Sequence, residues 1–149
     1  MTVIRRSALV PYSAHEMFLL VSDIERYPEF LPWCGGARVL SRTEDTVIAS
    51  IDIAYKGLTH CFTTSNRLYA NERMEMHLVE GPFSKLDGNW VFLALDDASS
   101  KISLDLEFEF SSRLLGMAMG PVFGAIANSM VDGFRNRAKQ VYGNGGRGV

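Results

Sequence analysis

Lys101-Ile102-Ser103-Leu104-Asp105-Leu106-Glu107-Phe108-Glu109-Phe110, with the long helical pattern that follows it from about Leu115 to Tyr142, decides the fold. Ile102, Leu104, Leu106, Phe108 and Phe110 alternate with Ser103, Asp105, Glu107 and Glu109, so one face of this strand meets a core and the other meets water. The helical stretch sets Met119, Phe123, Ile126, Met130 and Phe134 on one stripe by steps of three and four. Arg135, Arg137 and Lys139 near its end suit the negative pole of the helix dipole. Pro121 is expected to kink or interrupt this helix near its first turns, unless the helix proper begins there.

Working back from that strand, the same period of two recurs over residues 37–43, 46–55, 58–68, 72–80 and 85–95. Thr43-Glu44-Asp45, Lys56-Gly57, Ala70-Asn71, Gly81-Pro82 and Asp96-Asp97-Ala98-Ser99-Ser100 punctuate these runs. Connections this short imply hairpins, hence an antiparallel meander. A first strand is predicted over residues 2–10, ending at Pro11. Ser13-Ala14-His15-Glu16 reads as a capping box, and Met17, Leu20, Val21 and Ile24 at helical spacing behind it predict a helix near 14–24. Pro28 and Pro32 exclude a long helix after it, leaving one short helical turn between them and then a Gly35-Gly36 turn. The order is strand, short helices, six strands, long helix. It predicts an α+β domain over residues 1–143 whose seven-stranded, curved antiparallel sheet wraps the C-terminal helix. Gly143-Asn144-Gly145-Gly146-Arg147-Gly148 stops that helix, and 144–149 is expected to be a flexible tail.

Bulk properties restrict the function. The 149 residues suit one domain, and 47% hydrophobic with 21% charged residues is a globular composition. A net charge of −2 gives no general attraction to phosphate backbones, so DNA is not expected as a partner. Cys34 and Cys61 sit in no metal-ligand spacing and read most simply as ordinary thiols of a reducing compartment, with a single disulfide between them the alternative that sequence leaves open. The start, MTVIRRSALVPYSA, lacks the apolar centre of a secretory signal. The strictly apolar part of the last third, Leu114 to Ala127, is shorter than the roughly 20 residues that span a bilayer. A cytoplasmic protein with at most peripheral contact at the inner face of the membrane is expected.

Little in the chain points to catalysis. His15, His60 and His77 form no ligand spacing, so no metal is expected. No Gly-x-Ser-x-Gly elbow is present, and the Gly-rich tail follows a helix, the wrong context for a phosphate loop. Asp105, Glu107 and Glu109 form an acidic row best explained as a solvated outer face, and no catalytic residue is assigned. An apolar stripe facing an apolar concave sheet either fills the space or leaves a hole. Gly88 beside Leu86 and Trp90, Ala94 beyond Phe92, the glycines at 116, 120 and 124, and seven methionines are compatible with a cavity, but also with plain core.

Several stretches resemble a known family. They are Ala8-Leu9-Val10-Pro11-Tyr12-Ser13, Tyr27-Pro28-Glu29-Phe30-Leu31-Pro32-Trp33-Cys34 and Gly81-Pro82-Phe83-Ser84-Lys85-Leu86-Asp87-Gly88-Asn89-Trp90-Val91-Phe92. Leu106-Glu107-Phe108-Glu109-Phe110 and Asn128-Ser129-Met130-Val131-Asp132-Gly133-Phe134, with Arg137-Ala138-Lys139 and Val141-Tyr142 after it, continue the match in order. Together they are similar to the ubiquinone-binding START-like family, which includes mitochondrial coenzyme Q-binding proteins and bacterial ribosome-association toxins. The match covers nearly the whole chain and is closest to the bacterial RatA branch. The resemblance implies a helix-grip fold with a deep, lipid-sized cavity holding ubiquinone or a polyprenyl precursor, and no other cofactor. It implies an alternative partner in the large ribosomal subunit, for which Arg5, Arg6, Arg135, Arg137, Lys139 and Arg147 could supply a basic patch if they gather. Related helix-grip domains also include polyketide cyclases and aromatases, a third reading that would need a titratable group inside the cavity. Pro121 with the extra glycines, and the bulk of Trp33, depart from the family pattern at the expected cavity mouth.

Under this resemblance the candidate ligand-binding residues are Phe30, Leu31, Trp33, Phe83, Leu86, Trp90, Phe108, Met119, Phe123, Ile126 and Met130. Trp90 and Phe30 are expected in the core. Trp33 and Phe83 are expected on exposed portal loops, Tyr27–Trp33 and Gly81–Leu86, that touch a membrane and admit a polyprenyl tail.

Overall fold

A computed structural model describes residues 2–55 and 57–143; the expected tail at 144–149 lies outside the described residues. Strand β1 (Thr2–Val10) leads into helix α1 (Ala14–Ser22) and a short 3₁₀ helix (Ile24–Glu29). Six strands follow: β2 (Cys34–Arg42), β3 (Thr46–Tyr55), β4 (Leu58–Tyr69), β5 (Arg73–Glu80), β6 (Phe83–Ala94) and β7 (Ser100–Phe110). Helix α2 (Arg113–Tyr142) closes the described chain. The sheet order is β1-β7-β6-β5-β4-β3-β2, antiparallel at every step. This is the seven-stranded helix-grip architecture that the alternation and the helical stripe predict.

Local chemistry explains the elements. Ser13 Oγ accepts from the Glu16 amide at 3.0 Å while the Glu16 carboxylate accepts from the Ser13 amide at 2.9 Å, the capping box that starts α1. Ser112 Oγ accepts from the Leu115 amide at 3.1 Å and starts α2 at Arg113, two residues before the expected boundary. Asn71 takes the left-handed conformation (φ 64°) that the β4–β5 hairpin needs, which its short amide side chain tolerates.

Three expectations change. Gly35 and Gly36 are not a turn but lie within β2, where its register against β3 shifts. A β-carbon on Gly36 would sit 2.8 Å from Asp52 Oδ2, and one on Gly35 would sit 3.0 Å from Ala54 Cβ, so glycine permits the close approach. The short helical turn forms before and across Pro28, at Ile24–Glu29, rather than between the two prolines. Helix α2 runs through Pro121 without a break. The proline cannot donate to the Met117 carbonyl, yet Pro121 and Met117 are both exposed, so water can take the missing donor's place.

The core lies between the concave face of the sheet and α2. Trp90, Phe108, Phe134, Met17, Ile24 and Ile53 are among its fully buried side chains. By length and composition α2 could cross a membrane, but here it packs on the sheet through Phe123, Ile126, Ala127, Val131, Phe134 and Ala138. Its C-terminal end is tied down by Tyr142, whose hydroxyl donates to the Glu16 carbonyl and whose ring packs on Tyr12.

Candidate functional site

Beneath the middle of α2 the core is incompletely filled. Phe123, Ile126, Ala127 and Met130 of α2 face Ile51 of β3, Phe62, Thr64 and Asn66 of β4, Met76 of β5, Leu86 of β6 and Leu106 of β7. Ile24 and Tyr27 of the 3₁₀ helix and Trp33 after it close the side. The free space there is about 40 Å³, and its lining is almost wholly apolar. A water molecule needs roughly 10–15 Å³ by the same measure, so this is room for a few waters and not for a lipid. The deep, lipid-sized cavity implied by the family resemblance is therefore collapsed here. The reason is side-chain filling: a β-carbon on Gly88 would lie only 2.4 Å from Met76 Cε and 3.0 Å from Leu106 Cδ1. The space that Gly88 vacates is taken by Met76. Ala94 is exposed and contributes nothing to the site.

The predicted site residues divide into groups. Trp33, Leu86, Phe123, Ile126 and Met130 line the cavity. Phe83 and Phe108 stand beside it in an aromatic cluster centred on Phe123, with ring centroids 5.0 Å and 4.7 Å from it. Trp90 is fully buried against Phe134, 5.2 Å between centroids, as expected of a core residue. Met119 is buried on α2 but does not line the cavity. Phe30 and Leu31 line an outer groove between the Phe30–Trp33 segment and α2, with Phe30 half-buried against Tyr27 and Phe134.

The exposed-portal placement of Trp33 and Phe83 is corrected. Trp33 is 4% exposed and Phe83 5% exposed. Phe83 opens β6 rather than extending a loop, and it is held by Phe62, Phe108, Phe110 and Phe123. The Trp33 carbonyl accepts from the Ala54 amide at 2.8 Å, which pins the residue against β3. Trp33 faces both the cavity and the outer groove, so it forms the partition between them.

Tyr27, Phe62, Thr64, Asn66 and Met76 were not predicted. A signal existed for the β4 members: Phe62, Thr64 and Asn66 share one parity, which marks a strand face turning from apolar to polar while staying buried.

Tyr27 is the titratable side chain on the cavity wall, and its pKa is raised far above the ordinary tyrosine range, chiefly by burial and further by Cys34 and Asp23. Its hydroxyl donates to the Val21 carbonyl. His60 and His77 do not line the cavity; His77 is on the outer face, 2.9 Å from Asp87. Cys34 and Cys61 are free thiols, and both have raised pKa values, first through burial, so neither is an activated thiolate. Among the described residues no group of three or more His, Cys, Asp or Glu is arranged to hold a metal ion. Of the basic residues expected to gather, three sit against carboxylates, Arg6 bonds to a neutral amide and Lys139 is exposed. Arg5 lies 3.9 Å from Asp105, Arg6 donates to Asn128 at 2.8 Å, Arg135 pairs with Asp132 at 3.1 Å and Arg137 with Glu29 at 2.8 Å. Arg147 lies outside the described residues.

Residues 10–135 match the family model described as polyketide cyclase / dehydrase and lipid transport. The chain belongs to this family. Within the polyketide cyclase / dehydrase and lipid transport family, it is 49% identical over 143 residues to the ribosome association toxin RatA of Vibrio cholerae, spanning 96% of this chain and 99% of that one. It is 27% identical over 142 residues to the mitochondrial coenzyme Q-binding protein coq10 of Schizosaccharomyces pombe, spanning 91% of this chain and 85% of the relative. The crystal structure of the Zhui aromatase/cyclase from Streptomyces sp. R1128 superposes with a TM-score of 0.82 at 13% identity, over 93% of this chain and 94% of that one. The last likeness is one of fold. The resemblance to the RatA branch of the START-like group is borne out.

Proposed function

We propose that this family member is a non-catalytic carrier of ubiquinone or a related polyprenyl lipid that supports respiratory electron transport. The observation that carries the reading is the apolar cavity between α2 and β3–β7, with Trp33 lining both it and an outer groove. Its present 40 Å³ means that a lipid enters by parting side chains. Met76 and Met130 on opposite walls are rotamer-rich and suited to such displacement. Each five-carbon prenyl unit transferred from water gains about 4 kcal/mol at roughly 0.8 kcal/mol per CH₂, enough to offset repacking of a few side chains. The absence of a carboxylate or imidazole from the cavity lining among the described residues supports a binder over an acid–base enzyme.

The test is organic extraction of the natively purified protein followed by mass spectrometry of the bound lipid. A co-purifying polyprenyl quinone or precursor is expected. A protein that is empty as purified and stays empty after incubation with ubiquinone overturns the reading. A second reading, association with the large ribosomal subunit, is favoured by the 49% identity to RatA over nearly the full chain. The carboxylate partners of Arg5, Arg135 and Arg137 weigh against a simple basic patch as its basis. Co-sedimentation with isolated large subunits in a sucrose gradient, repeated at rising salt, distinguishes it from lipid carriage.

A further inference from the structure

Thr64 and Asn66 are out of place in an apolar wall. They are 3% and 1% exposed, two residues apart on β4, and both face the cavity. Buried polar groups cost stability unless their hydrogen bonds are made, so what this pair has left unmade is informative. Asn66 Nδ2 donates to the Val47 carbonyl at 3.0 Å and to Thr64 Oγ1 at 3.0 Å. A backbone carbonyl can only accept, so the bond to Val47 fixes which way the amide points. The one hydroxyl hydrogen of Thr64 is directed at Asn66 Oδ1, 3.3 Å away. All three side-chain hydrogens of the pair are thus engaged within the protein. Asn66 Oδ1 and Thr64 Oγ1 each keep a lone pair unused.

The other walls are complementary. The Tyr27 hydroxyl hydrogen is committed to the Val21 carbonyl. The Trp33 indole N–H is buried and has no acceptor among the described residues. The cavity lining thus includes two residues with spare acceptor capacity on β4 and one, Trp33, with a buried unmet donor, together with the aromatic residues Tyr27, Phe62 and Phe123.

We infer that Thr64 and Asn66 form a head-group subsite for an aromatic hydroxyl, so that the carrier favours lipids with a phenol or hydroquinone head over those whose ring bears only carbonyl or ether oxygens. The inference rests on the lipid-carrier reading and deepens it. A ring hydroxyl donates to Asn66 Oδ1 or Thr64 Oγ1, and a second ring oxygen can accept from Trp33. A fully oxidised quinone without a hydroxyl has acceptors alone and satisfies only Trp33. A bare polyprenyl chain satisfies neither.

The test compares two probes of nearly the same shape, 4-nonylphenol and its methyl ether, binding to the full chain by isothermal titration calorimetry. The phenol is expected to bind about tenfold tighter, the scale of one net hydrogen bond in a buried site. Thr64→Val and Asn66→Leu should each reduce that ratio towards one while leaving the affinity for the ether little changed. Thr64→Val keeps the side-chain shape and carries the test alone if Asn66→Leu does not fold. Equal affinity of the wild type for both probes overturns the hydroxyl assignment and leaves the carrier reading in place. A tenfold preference that survives substitution overturns the placement at β4. Failure to take up either probe or ubiquinone removes the carrier reading, and the inference with it.

Discussion

Replacing Phe123 by alanine tests whether the aromatic cluster seals the cavity or stands open at a mouth. The side chain is 5% exposed, and its ring lies 4.7 Å from Phe108, 5.0 Å from Phe83, 6.1 Å from Phe110 and 6.2 Å from Phe62. Phe→Ala changes in a packed core cost about 3–5 kcal/mol. Edge-to-face pairs add about 0.5–1.5 kcal/mol each beyond burial, which argues for the upper end. The adjoining 40 Å³ of free space lets Phe62 and Met130 relax inwards and argues for less. Phe123→Ala should therefore destabilise the ligand-free protein by about 4 kcal/mol. At about 2–4 °C per kcal/mol for a chain of this size, the melting temperature falls by roughly 8–16 °C. Urea unfolding followed by near-ultraviolet circular dichroism measures it, with Phe123→Leu as a control expected to lose less than about 1.5 kcal/mol. A loss below about 1 kcal/mol for Phe123→Ala would refute the sealed cluster, because a ring at an open mouth has little burial to lose.

Further outcomes follow from other contacts. Gly88→Ala should cost only about 1–2 kcal/mol, because the atom it strikes first is the flexible end of Met76, yet it should abolish lipid uptake by driving that end into the cavity; thermal melts and uptake assays read the two effects separately. Arg137→Ala should cost about 1–2 kcal/mol in a urea titration, since the guanidinium is bonded to Glu29 at 2.8 Å and stacks 4.9 Å from the Phe30 ring centroid; an unchanged midpoint would mean that the contact is incidental. Tyr27→Phe should lose about 1 kcal/mol near neutral pH with its bond to Val21. The phenol's folded pKa is raised above its unfolded value, so its contribution is whole below about pH 10 and declines above it. The wild type should then lose up to about 1.4 kcal/mol per pH unit relative to Tyr27→Phe, and parallel stability curves above pH 10 would contradict the burial of this group.

The fold was legible because two periodicities are written plainly: the alternation over Ile102–Phe110 and the stripe from Met119 to Phe134. The expected α2 start missed by two residues because Ser112 caps from outside the apolar pattern, and Pro121 was over-read because its exposure, which lets water replace the lost donor, is a tertiary fact. The site was read less well. Helical spacing found Phe123, Ile126 and Met130, but whether Met119 or Ile126 meets the cavity depends on where the sheet curves away. Tyr27 and Trp33 stand in a proline-bracketed segment without period, where sequence indicates aromatic character but not direction. Gly88 suggested empty space, and only the position of Met76 on the neighbouring strand shows it filled.

The pairing of β1 with β7 has a consequence for how the chain is born. Val10 meets Ser100, and Thr2 meets Phe108, so the first strand must find partners 90 to 106 residues downstream. At roughly 5–20 residues per second, translation leaves β1 waiting about 5–20 s before β7 exists. During that interval β2–β6 can zip as successive hairpins, while β1 offers an unsatisfied backbone edge to whatever lies near the ribosome exit. Pairing of β1 with β7 is then a late step of maturation. A circular permutant that bridges Gly143 to Thr2 with a long flexible linker, and is opened in the β2–β3 hairpin at Thr43–Asp45, would shorten the separation between β7 and β1, and it should fold faster than the natural order.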